Sequence, residues 1–166
     1  YDVIAEKLYS IAEFKGRKIV SYVWSKNNEG ILYIEQGDSK NILAKLNLLT
    51  RDTTLLDDIK PNKLISDSDG SSYVITNNKL IRLSDRQSWE LSKDVSKAIG
   101  YAIRGNYLYY SDAISRVARL NLQDNTIQDM HMDFRPIAFF ISGDDEILFT
   151  GSKYKDMQIM QISWNE

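Results

Sequence analysis

Ile31-Leu32-Tyr33-Ile34-Glu35 is a short run of β-branched, aromatic and aliphatic residues, and its central triplet returns three times along the chain. The copies are Tyr73-Val74-Ile75, Leu108-Tyr109-Tyr110 and Leu148-Phe149-Thr150, with first residues 41, 35 and 40 positions apart. A second apolar mark follows each triplet, at Leu46, Leu83, Leu120 and Ile162. Self-similarity at this period marks a modular array, because one such unit cannot bury its own apolar faces and must stack on a neighbour.

Working outward from the triplets, each unit reads as four strands. In the first, Ile19 to Trp24 is an apolar inner strand, and the polar run Ser25 to Gly30 turns the chain, with Gly30 free to take positive φ. Ile31 to Glu35, Ile42 to Leu48 and Thr53 to Leu56 follow. The second unit has strands at Leu64 to Ser66, Ser72 to Thr76, Lys79 to Leu83 and Trp89 to Leu91, with a strong turn at Asp67-Ser68-Asp69-Gly70. The third has Ile99 to Arg104, Tyr107 to Ser111, Arg116 to Leu122 and Thr126 to Met130, turning first at Gly105-Asn106. The fourth has Ile137 to Ile141, Ile147 to Thr150 and Met157 to Ser163, one strand short.

The fold class expected is all-β: a β-propeller of about four four-stranded antiparallel blades. The blades fall approximately at 15–57, 63–92, 98–131 and 137–163, the last completed by residues 1–14 within one domain spanning 1–166. Closure by the N-terminal strand removes two raw sheet edges at once. The alternative is a piece of a larger ring. The chain opens at Tyr1-Asp2-Val3 without an initiating Met, as a segment cut from something longer would. Helix is expected only as a short turn near Asp94 to Ala98 or Ala113 to Arg116.

Composition narrows the function classes. The 166 residues carry 21 basic and 23 acidic side chains, a net charge of −2, which argues against direct nucleic-acid contact and against a polybasic membrane patch. No stretch approaches the ~20 apolar residues of a membrane-spanning helix, so no membrane insertion by this segment is expected. The absence of cysteine excludes disulfides, thiolate metal sites and a cysteine nucleophile.

The turns carry a recognisable spelling. Ser66-Asp67-Ser68-Asp69-Gly70-Ser71-Ser72-Tyr73-Val74 resembles the S-P-D-G repeat of TolB-like (WD40-like) β-propellers. Trp24 to Tyr33 and Ile141 to Phe149 look like decayed copies, and Tyr1 to Leu8 resembles that family's joint between outer strands. Propellers of this kind sit at the C-terminus of larger bacterial proteins. One such group resembles the CadC/ToxR type of membrane-anchored winged-helix transcriptional regulator, with a periplasmic sensor domain. The resemblance implies a non-catalytic binding or sensing module, periplasmic in location, that takes a protein or small ligand at a loop rim. The alternative it leaves open is an accessory propeller of a hydrolase or peptidase whose catalytic domain lies elsewhere. An unsealed sheet edge would also permit a homo-oligomer.

No residue pattern names a reaction. His131 is the only histidine, in Met130-His131-Met132 on an expected outer strand, and no Gly-x-Ser-x-Gly elbow accompanies it. Asp67-x-Asp69-Gly70 starts like a calcium loop, but the glycine comes too soon and no glutamate follows at the required distance. A hairpin turn is the better reading, with Asp69 accepting hydrogen bonds from its own turn and Gly70 taking the left-handed φ. Gly30 and Gly105 are read as structural turn residues in the same way. No catalytic residue, metal site or cofactor is assigned. The candidate binding residues are Trp24, Tyr101, Arg104 and Tyr154, because aromatic and arginine side chains near strand ends commonly anchor partners.

Overall fold

The computed structural model describes residues 13–56, 58–112, 115–132, 135–141, 146–153 and 156–163. Strands β1 (Ile19–Trp24), β2 (Gly30–Gln36), β3 (Asn41–Asn47) and β4 (Thr53–Leu55) form the first sheet in sequence order. The second holds β5 (Lys63–Ser66), β6 (Ser72–Ile75), β7 (Lys79–Arg82) and β8 (Ser88–Glu90). The third holds β9 (Gly100–Arg104), β10 (Tyr107–Ser111), β11 (Arg116–Asn121) and β12 (Ile127–His131). The described part of the fourth holds β13 (Arg135–Ile141), β14 (Glu146–Lys153) and β15 (Asp156–Ser163). Neighbours within each sheet pair antiparallel, and the first strands adjoin one another, β1 beside β5, β5 beside β9 and β9 beside β13. Closure by residues 1–14 against Met157–Ser163 involves residues 1–12, outside the described residues.

All four apolar triplets fall on second strands, β2, β6, β10 and β14. Strands β2, β6 and β10 read as unbroken apolar runs because both of their faces are covered. Val74 joins the first-sheet residues Leu32, Ile34 and Leu43 in one cluster. Its neighbours Tyr73 and Ile75 point the other way, into a cluster with Ile103, Leu108 and Tyr110 of the third sheet. Tyr33, fully buried, lies on the first sheet's outer face beside Ala44 and Leu46, with the Phe14 ring 4.8 Å away between centroids. The third-strand marks hold at Leu46, Leu120 and Ile162, while Leu83 stands one residue beyond β7.

The turns from third to fourth strand repeat more faithfully than the strands. Asn47, Arg82 and Asn121 each accept, on the backbone carbonyl, an N–H from the residue four places on (Arg51, Arg86 and Asn125, 3.0, 3.0 and 2.9 Å). Each also donates its own N–H to the carbonyl five places on. The closing residues Arg51, Arg86 and Asn125 take φ of 66°, 63° and 61°. Two arginines in the left-handed region show the loop geometry overriding residue preference.

Gly30 is not a left-handed turn residue. A 3₁₀ turn over Lys26–Asn28 reverses the chain, Asn28 takes the positive φ of 56°, and Gly30 opens β2. Its need for glycine is steric: a Cβ there would stand 2.4 Å from the Leu46 carbonyl oxygen. Gly70 does take φ of +81°, in a turn where Asp69 accepts from the Ser71 N–H (2.7 Å) and the Ser71 hydroxyl (2.9 Å). Gly105 takes φ of +53°. The short helix α1 (Lys93–Ser96) links the second and third sheets, and no helix among the described residues is long and apolar enough to cross a membrane.

Turn carboxylates give the fold an acid limb. Ser71, by its backbone and then its hydroxyl, holds the Asp69 carboxyl below its ordinary value, and Thr126, by its hydroxyl and then its backbone, lowers that of Asp124. The Arg82 guanidinium, then the Gln87 N–H, hold Asp85 down to about 2. A carboxyl depressed in the folded state stabilises it above the unfolded value of ~4, and that contribution vanishes as pH falls through the folded value. Urea midpoints are therefore expected to drop between about pH 4 and about pH 2, and less in Asp85→Asn than in the parent. Exposure keeps the effect small.

Candidate functional site

Inner strands of stacked sheets end close together, and their free edges and first turns bound a common space. A cavity of about 470 Å3 lies there, walled by Val23 near the end of β1, by Leu64, Ile65 and Ser66 of β5, and by β9 from Tyr101 to Arg104. Asp67 and Ser68, in the turn after β5, close its rim. The volume falls in the usual range of small-molecule sites, ~300–1,000 Å3. A hollow of about 510 Å3 beside Asn28, Glu29, Asn47, Leu48 and Leu49 is different in kind, formed by the turns of one sheet.

Two hydrogen bonds between sheets fix the cavity walls. The Leu64 N–H, on the β5 edge, donates to Ser21 Oγ of β1 at 3.1 Å. The Gly105 N–H donates to Asp67 Oδ2 at 3.1 Å, joining the first turns of the second and third sheets. Asp67 Oδ1 accepts from the Ser68 N–H (2.6 Å) and the Ser68 hydroxyl (3.1 Å). Behind the site, Trp89 Nε1 donates to the Leu122 carbonyl at 2.8 Å across the same pair of sheets.

Of the residues singled out from sequence, Tyr101 and Arg104 come together on this cavity. The Tyr101 hydroxyl donates to the Val95 carbonyl at 2.7 Å, and burial pushes its pKa up to about 12, so it offers the site a neutral ring wall. Arg104 is half-buried at the end of β9. Trp24 does not join them. It follows Val23 on β1 but projects from the opposite face, with Tyr22, and both are exposed, Tyr22 at 70%. The inner strand β1 is thus covered on alternate residues, a departure from its uniformly apolar reading. Tyr154 lies outside the described residues. Asp67 is the site residue that sequence reasoning passed over, because a carboxylate in Ser-Asp-x-Asp-Gly reads first as a turn former.

Other chemistry stands apart from the cavity. His131 is exposed on β12, the outermost strand of the sheet whose innermost strand is β9. Among the described residues, no three metal-ligating side chains gather into a cluster.

Stacked four-stranded sheets with adjoining inner strands recur in known structures. Over 89% of its length the chain is similar to TolB from Acinetobacter baumannii, at TM-score 0.63 and 14% identity, covering 41% of that chain. The fold is a β-propeller. A chain of the nidogen/laminin complex matches 90% of this one at TM-score 0.66 and 9% identity, with 63% of that chain covered. The extracellular domain of BT4673, a proposed one-component system of B. thetaiotaomicron, matches 93% at TM-score 0.62 and 17% identity, with 22% covered. The chain therefore spans less than two thirds of each of these three, and identities this low carry the fold alone. No protein-family profile and no curated protein sequence matches it.

Proposed function

We propose that this propeller is a non-catalytic binding module of a sensor, and that its ligand occupies the cavity bounded by β1, β5 and β9. The observation that carries this reading is the convergence of Tyr101, Arg104 and Asp67 with apolar residues of three inner strands on one space of about 470 Å3. The only histidine stands on the outer strand β12, so it does not serve this cavity as a base. A sensing role draws support from the shared fold of the BT4673 extracellular domain. The finer form of the proposal is the periplasmic sensor end of a membrane-anchored transcriptional regulator, which a winged helix and one apolar span upstream of Tyr1 would support.

The test is amide chemical-shift mapping with a panel of small polar and aromatic fragments. Perturbations are expected at Ser66–Ser68 and Tyr101–Arg104, and Ala102→Trp, which fills the cavity, is expected to abolish them while leaving the melting temperature within a few degrees. Perturbations that survive Ala102→Trp, or that gather on the outer strands, contradict the assignment.

A further inference from the structure

We propose a second ligand site, for a phosphate monoester, in the groove between the first and second sheets, with the phosphate on Lys26 and Lys45 and the apolar body against Leu32, Leu56 and Leu83. The groove shares no wall residue with the cavity bounded by β1, β5 and β9, and neither site depends on the other.

The groove holds about 310 Å3, walled on one side by Leu32, Lys45 and the turn residues Ser25 and Lys26, and on the other by Gly70–Ser72 and Leu83. Charge decides its ligand. Lys26 and Lys45 are the only charged side chains on the wall. Both are exposed, and among the described residues neither forms an ion pair. Asp69 feels the Lys26 charge, but its oxygens are engaged by the Ser71 N–H and hydroxyl. Lys45 stands directly opposite Leu32 in the β2–β3 ladder, on the face where Leu32 packs with Leu64 and Val74 of the second sheet. A charge on a stacked face is costly unless its head reaches water or an anion, and the groove supplies that opening. An ammonium is a compact point charge with three donors, so a pair of them suits a tetrahedral dianion better than a planar carboxylate. A phosphate monoester carries about −1.5 to −2 at neutral pH. Ser25, on the same wall, is only 7% exposed and its hydroxyl has no hydrogen-bond partner, an unmet group that a phosphate oxygen satisfies. Leu32, Leu56 and Leu83 supply the apolar contact. The volume stands at the small end of ligand sites, ~300–1,000 Å3, which favours a compact ester.

Amide-shift titrations of the unaltered protein with phenyl phosphate, inorganic phosphate and phenol test this. Phenyl phosphate is expected to shift Ser25, Lys26, Lys45 and Gly70–Ser72. Inorganic phosphate, which lacks the ring, is expected to bind the same residues about tenfold more weakly, and phenol, which lacks the charge, at least about tenfold more weakly. Lys45→Met keeps the side-chain stem and removes the charge. It is expected to weaken phenyl phosphate about tenfold and leave phenol unchanged, and Lys26→Gln to do the same. Ala102→Trp, which fills the other cavity, is expected to leave phenyl phosphate binding as it was. Phenol that binds as tightly as its phosphate overturns the anionic head. Phenyl phosphate that binds both lysine variants undiminished, that is lost in Ala102→Trp, or that shifts none of the groove residues overturns the site, and the reading of the cavity at the inner strands stands or falls by its own fragments.

Discussion

Leu108→Ala is expected to destabilise the fold by about 3 kcal/mol, lowering the melting temperature of a chain this long by roughly 10 °C. Leu108 has no exposed surface and lies on β10, between two strands of its own sheet. Its direct cross-strand partners are Ile103 and Leu120, both nearly buried. Across the seam it shares a cluster with Ile75 and Leu80 of the second sheet. Truncation removes the transfer energy of three carbons and leaves a hole that strands fixed on both sides cannot collapse into. Urea unfolding followed by tryptophan fluorescence measures the loss. Leu108→Ile, which keeps the volume, is expected to cost less than about 1.5 kcal/mol. A loss under about 1 kcal/mol for the alanine variant would mean that this seam is not a packed core.

Gly30→Ala comes next, at about 2–3 kcal/mol. The added methyl would meet the Leu46 carbonyl oxygen at 2.4 Å, inside any permitted contact, and that oxygen belongs to the central backbone of the first sheet. No rotamer relieves it. Gly30 pairs with Asn47 at the end of the β2–β3 ladder, and its own carbonyl accepts the Ser25 N–H at 2.9 Å, so both sides are tied. Gly70→Ala provides the contrast. There a Cβ finds only ordinary contact with Lys26, and the cost comes from φ of +81° alone, about 1 kcal/mol. Thermal unfolding of the two variants separates the causes: Gly30→Ala is expected to melt well below Gly70→Ala, and the reverse order would mean that backbone angle, not space, governs the first position.

The strands were legible in sequence because stacking buries both faces of a second strand. Leu32-Tyr33-Ile34 and Leu108-Tyr109-Tyr110 therefore stand out as continuous apolar runs rather than alternating ones. The turn at Asp69-Gly70 was legible because its hydrogen bonds are local. Gly30 was misread because its constraint comes from Leu46, on another strand. Arg51 and Arg86 gave no hint of left-handed φ, since their turn is set by the ladder on either side. Tyr101 and Arg104 could be picked as candidates from residue type, but not as a pair with Asp67. The bond that brings Asp67 to Gly105 spans 38 positions and joins two sheets, and nothing local encodes it.

The stacking of sheets about a shared axis is tested most directly by methyl cross-peaks in a nuclear Overhauser spectrum. Val74 and Ile75 are adjacent in β6, and stacking sends them to different neighbours. Val74 is expected to show contacts with Leu32, Ile34 and Leu43, and Ile75 with Ile103 and Leu108. Cross-peaks that put both residues against the same sheet, or one of them in solvent, would describe a two-layer sandwich and contradict the propeller and the cavity built on it.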